Sequence, residues 1–488
     1  MPEYLSPGVY VEEVGSGIKP IEGVGTSTGA FIGIAERGPV KRAILITNWT
    51  QFTTTFGGFI DGGYLAYAVF QFFNEGGTKC YVVRAAKGTS TQPLKKAEKA
   101  FGDLIVRANS EGDWGNNIKT RIDAETPAPG ATARADYFKL TVLYKDKEVE
   151  AYDNLTLDET KPDHVLKRIA SKWIEVDDKG NTRPTNSTAP DALAGGANGV
   201  ALTSPDWAGA DGFVYAFDPI DQINILAIPD AQGDSVVTQA GYTYCQNRKD
   251  CFFVADTPKG LGAQDVLKFR MDKGFNSSFG ALYWPWISMA DPLSGKTKLV
   301  PPSGAIVGTY SHTDVMRGVH KAPAGIEEGY LNSAVDVERF VTKGEHDTLN
   351  PAGVNVIRSF PGTGIIVWGA RTLSADAEWK YINLRRLFLF IEESIDEGTQ
   401  WVVFEPNSPT LWGKVKRNIT AFLTRVWRDG ALFGTTADEA FYVKVDSENN
   451  PQEVIDAGQL IVEIGVAPVK PAEFVIIRIS QKTLGKAA

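Results

Sequence analysis

Two neighbouring helical signals near the C-terminus constrain this chain more than any other stretch. Residues 379–391 read WKYINLRRLFLFI, with Trp379, Ile382, Leu384, Leu387, Phe388, Leu389, Phe390 and Ile391 spread round nearly every face of a helix. A helix apolar all round has to be buried. An acidic segment follows at 394–398, and Trp401, Val402, Val403 and Phe404 read as a short strand. Asn407-Ser408-Pro409 then opens a second helix, with Ser408 as N-cap and Pro409 at the first helical position. At about 100° per residue, Trp412, Val415, Ile419, Phe422, Leu423 and Val426 share one side of it. Lys414, Arg417, Arg425 and Arg428 fall on a separate narrow stripe, with Ala421 between them. One reading of that stripe is a solvated basic face. The other is a docking face for an acidic partner. Either way it runs against the chain average, a formal net charge of −9.

A chain of 488 residues should hold roughly two to four domains. Its 43% hydrophobic and 22% charged content is ordinary for a globular protein. The acidic balance argues against a nucleic-acid binder. The three cysteines, Cys80, Cys245 and Cys251, form no C-x-x-C, so neither a disulfide framework nor a zinc knuckle is expected. This suits a reducing cytoplasm. The opening MPEYLSPGVYVEEV has acids and prolines where a signal peptide needs a basic start and an apolar run. No run of about 18 apolar residues predicts a transmembrane helix.

Along the chain, the pattern is α/β, or mixed α+β. Residues 1–14 read as an extended arm, since Pro2 and Pro7 disfavour helix and 9–12 alternate like an edge strand. Strands are predicted at 28–34, 43–47 and 80–84, with a helix over 64–73. From 88 to 210 loop signals multiply, residues 138–144 alternate as a half-buried strand, and 165–174 suits a short amphipathic helix. This is an inserted, strand-rich outer domain. The α/β rhythm returns over 211–358, with strands at 223–228, 251–255 and 279–289 and helices at 235–249 and 263–273. Three more strands are expected at 441–445, 460–465 and 474–479. The domains are therefore drawn as 1–87, 88–210, 211–358 and 359–488.

Catalytic patterns are weak. Residues 290–297, ADPLSGKT, mimic a phosphate loop, but LVPP follows at 299–302 where a helix N-terminus would have to face phosphate. Gly23-x-Gly25 and Gly362-x-Gly364 lack the rest of a dinucleotide fingerprint and read as turn glycines. His312 and His320 lie eight apart with no third ligand nearby. Asp314 beside His312 reads as a surface or core pair, and there is no G-x-S-x-G elbow. Nothing requires an enzyme, a metal or a cofactor.

Collinear segments do carry a resemblance. They are SPGVYVEEV at 6–14, STGAFIGIAERGP at 27–39, LYWPWISMADPLSG at 282–295 and VPPSGAIVGTYSHTDVMRGVHKAPAG at 300–325. LNPAGVNVIRSF at 349–360, GIIVWGARTLSADAEWKYINLRRL at 364–387, the 388–434 block and VAPVKPAEFVIIRIS at 466–480 continue it. Within the insertion, GDWGNNI at 112–118 and LAGGANGV at 193–200 also fit. Together they resemble the sheath proteins of contractile tails: phage tail sheaths, R-type bacteriocins and extracellular contractile injection systems. The type VI secretion sheath is a related two-chain form.

The resemblance implies a multidomain subunit. Both chain ends would form a tube-proximal domain, with inserted domains pointing outward. It implies a helical stack of rings around an inner tube protein that contracts and drives the tube through a target membrane. Baseplate and a terminal cap are the other implied partners; nucleic acid and cofactors are not. Assembly would take place in the bacterial cytoplasm, within a phage tail or a released tail-like particle. Lys414, Arg417, Arg425 and Arg428 would then face the tube. Val9, Tyr10 and Val11 of the arm, with Phe474, Ile476 and Ile479 of the last strand, would pair with adjacent copies. The alternatives are ends that pair within their own subunit, a static shell or surface-layer protein, and an enzyme using Gly295-Lys296-Thr297.

Overall fold

The computed structural model describes residues 20–127, 129–130, 132–474 and 476. Its contacts divide the chain into a larger unit, Gly25–Arg385, and a smaller one built from the described residues up to Val24 and from Arg386 onward.

Short runs of β-branched and aromatic residues bounded by glycines build the larger unit's central sheet. Its strands are β1 (Gly29–Gly33), β2 (Ala43–Ile46), β3 (Cys80–Arg84), β4 (Ile225–Ala227), β5 (Phe252–Asp256), β6 (Gly280–Trp284), β7 (Val354–Phe360) and β8 (Gly364–Val367). The spatial order is β2-β3-β1-β4-β5-β6-β7-β8. The inner six run parallel, and β2 and β8 close the edges antiparallel. Because β8 pairs with β7, the chain past 358 stays with this unit, and the division falls after Arg385 and not at 358.

Parallel strands need cover on both faces. Successive strand residues point to opposite faces, so Phe252 and Phe253 report both layers. Phe253 meets Tyr242 at 5.3 Å on α2 (Ser235–Arg248), beside α3 (Ala263–Asp272). Phe252 meets Tyr310 at 6.1 Å on α4 (Ser303–Arg317), which packs on α1 (Leu65–Asn74). Gly304 and Gly308 of α4 lie so close to Ala68 and Phe72 of α1 that a Cβ has no room.

The insertion has its own core, with Val106, Trp114, Ile118, Leu140, Val142 and Leu193 among its buried members. A three-stranded sheet (98–101, 104–108, 174–178) and a four-stranded one (118–124, 138–144, 147–155, 191–192) enclose it. The expected helix over 165–174 shortens to Val165–Arg168, because 174–178 is recruited as a strand against 104–108. Arg37 reaches into this region from the end of β1. Its guanidinium lies 3.9 Å from the centre of the Trp173 ring, with Trp114 and Tyr144 also around it, and donates to Thr53 O at 3.0 Å. Glu36 beside it accepts from Tyr144 Oη at 2.5 Å. Burial opposes ionisation of Glu36, yet the Tyr144 hydroxyl, Lys145 and the Gly58 N–H hold its carboxyl below the usual range.

The smaller unit holds α5 (Ile382–Thr399) from Arg386 on, α6 (Pro409–Arg428), and a two-stranded sheet of β9 (Phe441–Lys444) and β10 (Glu463–Val466). The strand expected at 401–404 is instead a tight turn over Gln400–Val402, followed by fully exposed Phe404 at φ 69°. The strand expected over 279–289 is two strands. Pro285 cannot donate to a ladder, so Ile287–Ala290 pairs in a different sheet with Thr297–Val300.

Candidate functional site

In an open parallel sheet, ligands bind outside the carboxyl ends of the strands where the strand order reverses. Here the chain runs from β1 out to β3 on one side and to β4 on the other, so the reversal lies between β1 and β4. That crevice is filled from within. Asp230, just past β4, accepts from Ile34 N at 2.8 Å, Tyr64 N at 2.6 Å and Leu65 N at 3.2 Å. The last two open α1, where an anionic ligand would otherwise dock. Burial pushes the Asp230 pKa up to about 6, against the pull of those three N–H groups. A Cβ on Gly33 would collide with the Asp230 carboxylate, so glycine is needed for the approach. Asp256, at the end of β5, repeats the device on α4 by accepting from Ser303 N at 2.8 Å, and burial lifts it to about 7. The helix starts that a nucleotide would use are capped by the protein's own carboxylates.

The 290–297 loop is equally self-contained. Lys296-Thr297 leads into a strand and not a helix. Asp291 accepts from Ser294 Oγ at 2.7 Å, Tyr67 Oη at 2.8 Å and Leu293 N at 3.1 Å. The Ser294 bond, aided by Tyr67 and Leu293 against burial, holds its pKa down at about 2. This is a hairpin turn pinned by an internal carboxylate. The Tyr283-Trp284-Pro285-Trp286 segment beside it is buried, with Trp286 Nε1 donating to Thr257 O at 2.7 Å.

The smaller unit is different, because it presents exposed cations and exposed apolar side chains. Ser408 Oγ accepts from Leu411 N at 3.4 Å and Pro409 opens α6. All six residues of its predicted apolar side are buried, together with Leu411 and Asn418. Phe422 meets Phe390 of α5 at 5.9 Å. The chain from Ile21 to Val24 is seated against α5. Ile21 is fully buried, and a Cβ on Gly398 would come within 2.6 Å of its side chain. A Cβ on Gly23 would reach 2.9 Å from the Phe390 ring, and Val24 N donates to Ser394 Oγ at 3.1 Å.

Lys414, Arg417, Arg425 and Arg428 are all exposed on α6. Helical geometry places them within an arc of about 80°, centred roughly 130° from the buried stripe. Arg425 also donates through Nη2 to Ile21 O, so it clamps the incoming chain. Among the described residues no ion pair engages Lys414, Arg417 or Arg428. Lys416 is exposed as well but points to another azimuth.

Of the linking residues, Val9, Tyr10, Val11 and Ile479 lie outside the described residues. Phe474 and Ile476 are exposed at 70% and 77% and belong to no strand. The cover that their apolar pattern demands is not supplied by the described residues of this chain. Nearby in sequence, β9 and β10 pair only with each other among the described residues, which leaves two open edges. A two-stranded sheet of this kind is marginal alone. Phe433 at 73% and Tyr442 at 53% exposure add uncovered apolar surface. The clasp on Ile21, which sequence reasoning missed, had Gly398 in a helical run as its only local signal.

Comparison with known proteins bears on this unit and on the sheet alike. The phage tail sheath protein central domain matches residues 186–373, and the phage tail sheath C-terminal domain matches 374–482. The tail sheath protein of Vibrio phage KVP40 is 28% identical over 188 residues, 38% of this chain and 27% of that protein. The tail sheath protein of Burkholderia phage BcepMu is 22% identical across 96% of this chain and 94% of its own. This chain spans 27% to 38% of the length of the first curated relatives it matches. Among solved structures, the anti-feeding prophage helical sheath in its contracted state is 26% identical, with TM-score 0.62, over 98% of this chain and all of that one. No helix among the described residues is long and apolar enough to cross a membrane. With two consecutive sheath domains matched over more than half its length and a sheath fold along nearly all of it, this chain belongs to the phage tail sheath family.

Proposed function

We propose that this chain is the repeating subunit of a contractile sheath, which stacks helically on copies of itself around an inner tube and shortens to drive that tube through a target membrane. The full-length likeness to a sheath named for its contracted state carries this reading. A likeness to a chain of the anti-feeding prophage baseplate, at 25% identity and TM-score 0.59, supports a place next to baseplate components. A terminal cap completes the assembly. The chain's role is structural, with no catalytic step.

Lys414, Arg417 and Arg428 are the tube-facing contacts in this proposal, with Arg425 shared between the tube and Ile21. Exposed ion pairs contribute only about 0–1 kcal/mol each. Repeated along a tube they add up, and each remains easy to exchange as the sheath shortens. Strands from neighbouring copies, drawn from residues 1–14 and 474–479, would add to the open edges of β9 and β10 through main-chain bonds.

The test is Lys414→Glu with Arg417→Glu, co-expressed with the tube protein and imaged by electron microscopy. Empty or already contracted cylinders are expected. Tube-filled extended sheaths at normal yield would refute the tube-facing assignment, and flat or closed lattices from the parent would refute the sheath itself.

A further inference from the structure

The turn between α2 and β5 brings two sulfurs together. Cys245 lies in the last turn of α2 and Cys251 directly precedes β5. Their Sγ atoms are 3.2 Å apart, and both residues are fully buried. That is only about 1 Å more than a disulfide bond. Lys249, at φ 66°, reverses the chain between them. The Arg248 side chain fixes the turn, with Nε 2.8 Å from Asp250 Oδ1 and Nη1 donating to Phe217 O at 2.8 Å. The residues that hold the sulfurs together are therefore themselves anchored.

Burial alone would make such a pair inert, because the thiolate is the reacting form. Burial does push the Cys251 thiol well up. Their neighbours in sequence, however, border a groove. Tyr244, Asn247, Arg248 and Asp250, which flank the two cysteines in sequence, line an open groove of about 970 Å³. That groove is the side from which a small neutral oxidant would approach the sulfurs. Cys80 provides an internal comparison. It is buried on β3, separated from β5 by β1 and β4.

We propose that Cys245 and Cys251 form a redox-active dithiol, which a peroxide converts into an intramolecular disulfide. One sulfur, as thiolate, attacks a peroxide oxygen. The O–O bond breaks, the sulfur becomes a sulfenic acid, and the leaving oxygen takes a proton to leave as water. The second thiol then attacks that sulfur. The S–S bond forms, the S–O bond breaks, and a second water leaves. Two thiols lose two electrons in total and hydrogen peroxide takes them up. A dithiol reductant reverses the change. The disulfide joins the end of α2 to the start of β5, and the apposed sulfurs restrict it to a short loop within one chain.

The full-length protein is treated under native conditions with hydrogen peroxide, freed of peroxide and denatured, and its free thiols are then counted by alkylation. Free thiols should fall from three to one, intact mass should drop by two hydrogen atoms, and peptide mapping should show Cys245 joined to Cys251 with Cys80 alkylated. Dithiothreitol should restore all three. Cys245→Ser should form no internal cross-link. If that variant does not fold, the peptide map of the parent decides alone. Three free thiols after native treatment would overturn the proposal, as would sulfinic acid at Cys251 without the joined peptide, or a bond involving Cys80.

Discussion

Asp230→Ala tests whether the crevice between β1 and β4 is closed from within. The substitution leaves the N–H groups of Ile34, Tyr64 and Leu65 without their acceptor. At about 2 kcal/mol for each unsatisfied buried donor, the loss is about 6 kcal/mol. Against this stands relief from burying an ionised carboxylate. The Asp230 pKa is raised from 3.8 to about 6, so ionised Asp230 costs the folded state about 3 kcal/mol at pH 7. At pH 5 the folded state keeps the proton and the cost is about half that. The net destabilisation is therefore about 4 kcal/mol at pH 5 and about 3 kcal/mol at pH 7. The sign follows from linkage. A carboxyl with a raised folded pKa contributes stability that is fully present below about pH 4 and is lost as pH rises through about 6. The parent thus loses about 1 kcal/mol between pH 5 and 7 that the variant keeps. Urea unfolding of unassembled protein at both pH values measures this. A variant as stable as the parent, or a gap that widens with pH, would refute the reasoning.

Arg37→Ala should release the insertion from the sheet, since it removes the cation from the Trp114, Tyr144 and Trp173 rings and the bond to Thr53 O; about 2–3 kcal/mol is expected, read as faster limited proteolysis within 88–210. Gly398→Val should unseat Ile21, because even a Cβ there lies within 2.6 Å of that side chain; the expected outcome is exchange protection lost at Val24 N while β1 keeps its own. Removing residues 1–14 should leave a folded, soluble chain with unchanged circular dichroism and no cylinders. Normal cylinders from that truncation would remove the arm's linking role.

The central elements were legible because their patterns are local. Residues 80–84 and 252–256 are short apolar runs that only a covered strand satisfies. The Ser408-Pro409 start and the apolar stripe of α6 follow from capping chemistry and helical period. Residues 303–317 were not legible as a helix, because Gly304, Gly308 and several β-branched residues lower local propensity. Those glycines instead allow the close approach to α1. The apparent strand at 401–404 failed for a related reason. Apolar residues declare that they need cover, but Val403 and Phe404 find none among the described residues.

The amino-acid sequence alone determined the α/β class, the half-buried helix 409–428 with its exposed basic residues, and the family resemblance. Each rests on periodicity, capping or collinear motifs, which are short-range properties of the chain. Tertiary structure alone decided the pairings across long separations. Asp230 meets Tyr64 across 166 residues, and Arg425 meets Ile21 across 404. It also placed Cys245 against Cys251, six apart in sequence, which a spacing rule had set aside. A buried carboxylate or thiol takes its chemistry from the atoms around it, and those atoms come from elements that the local pattern cannot bring together.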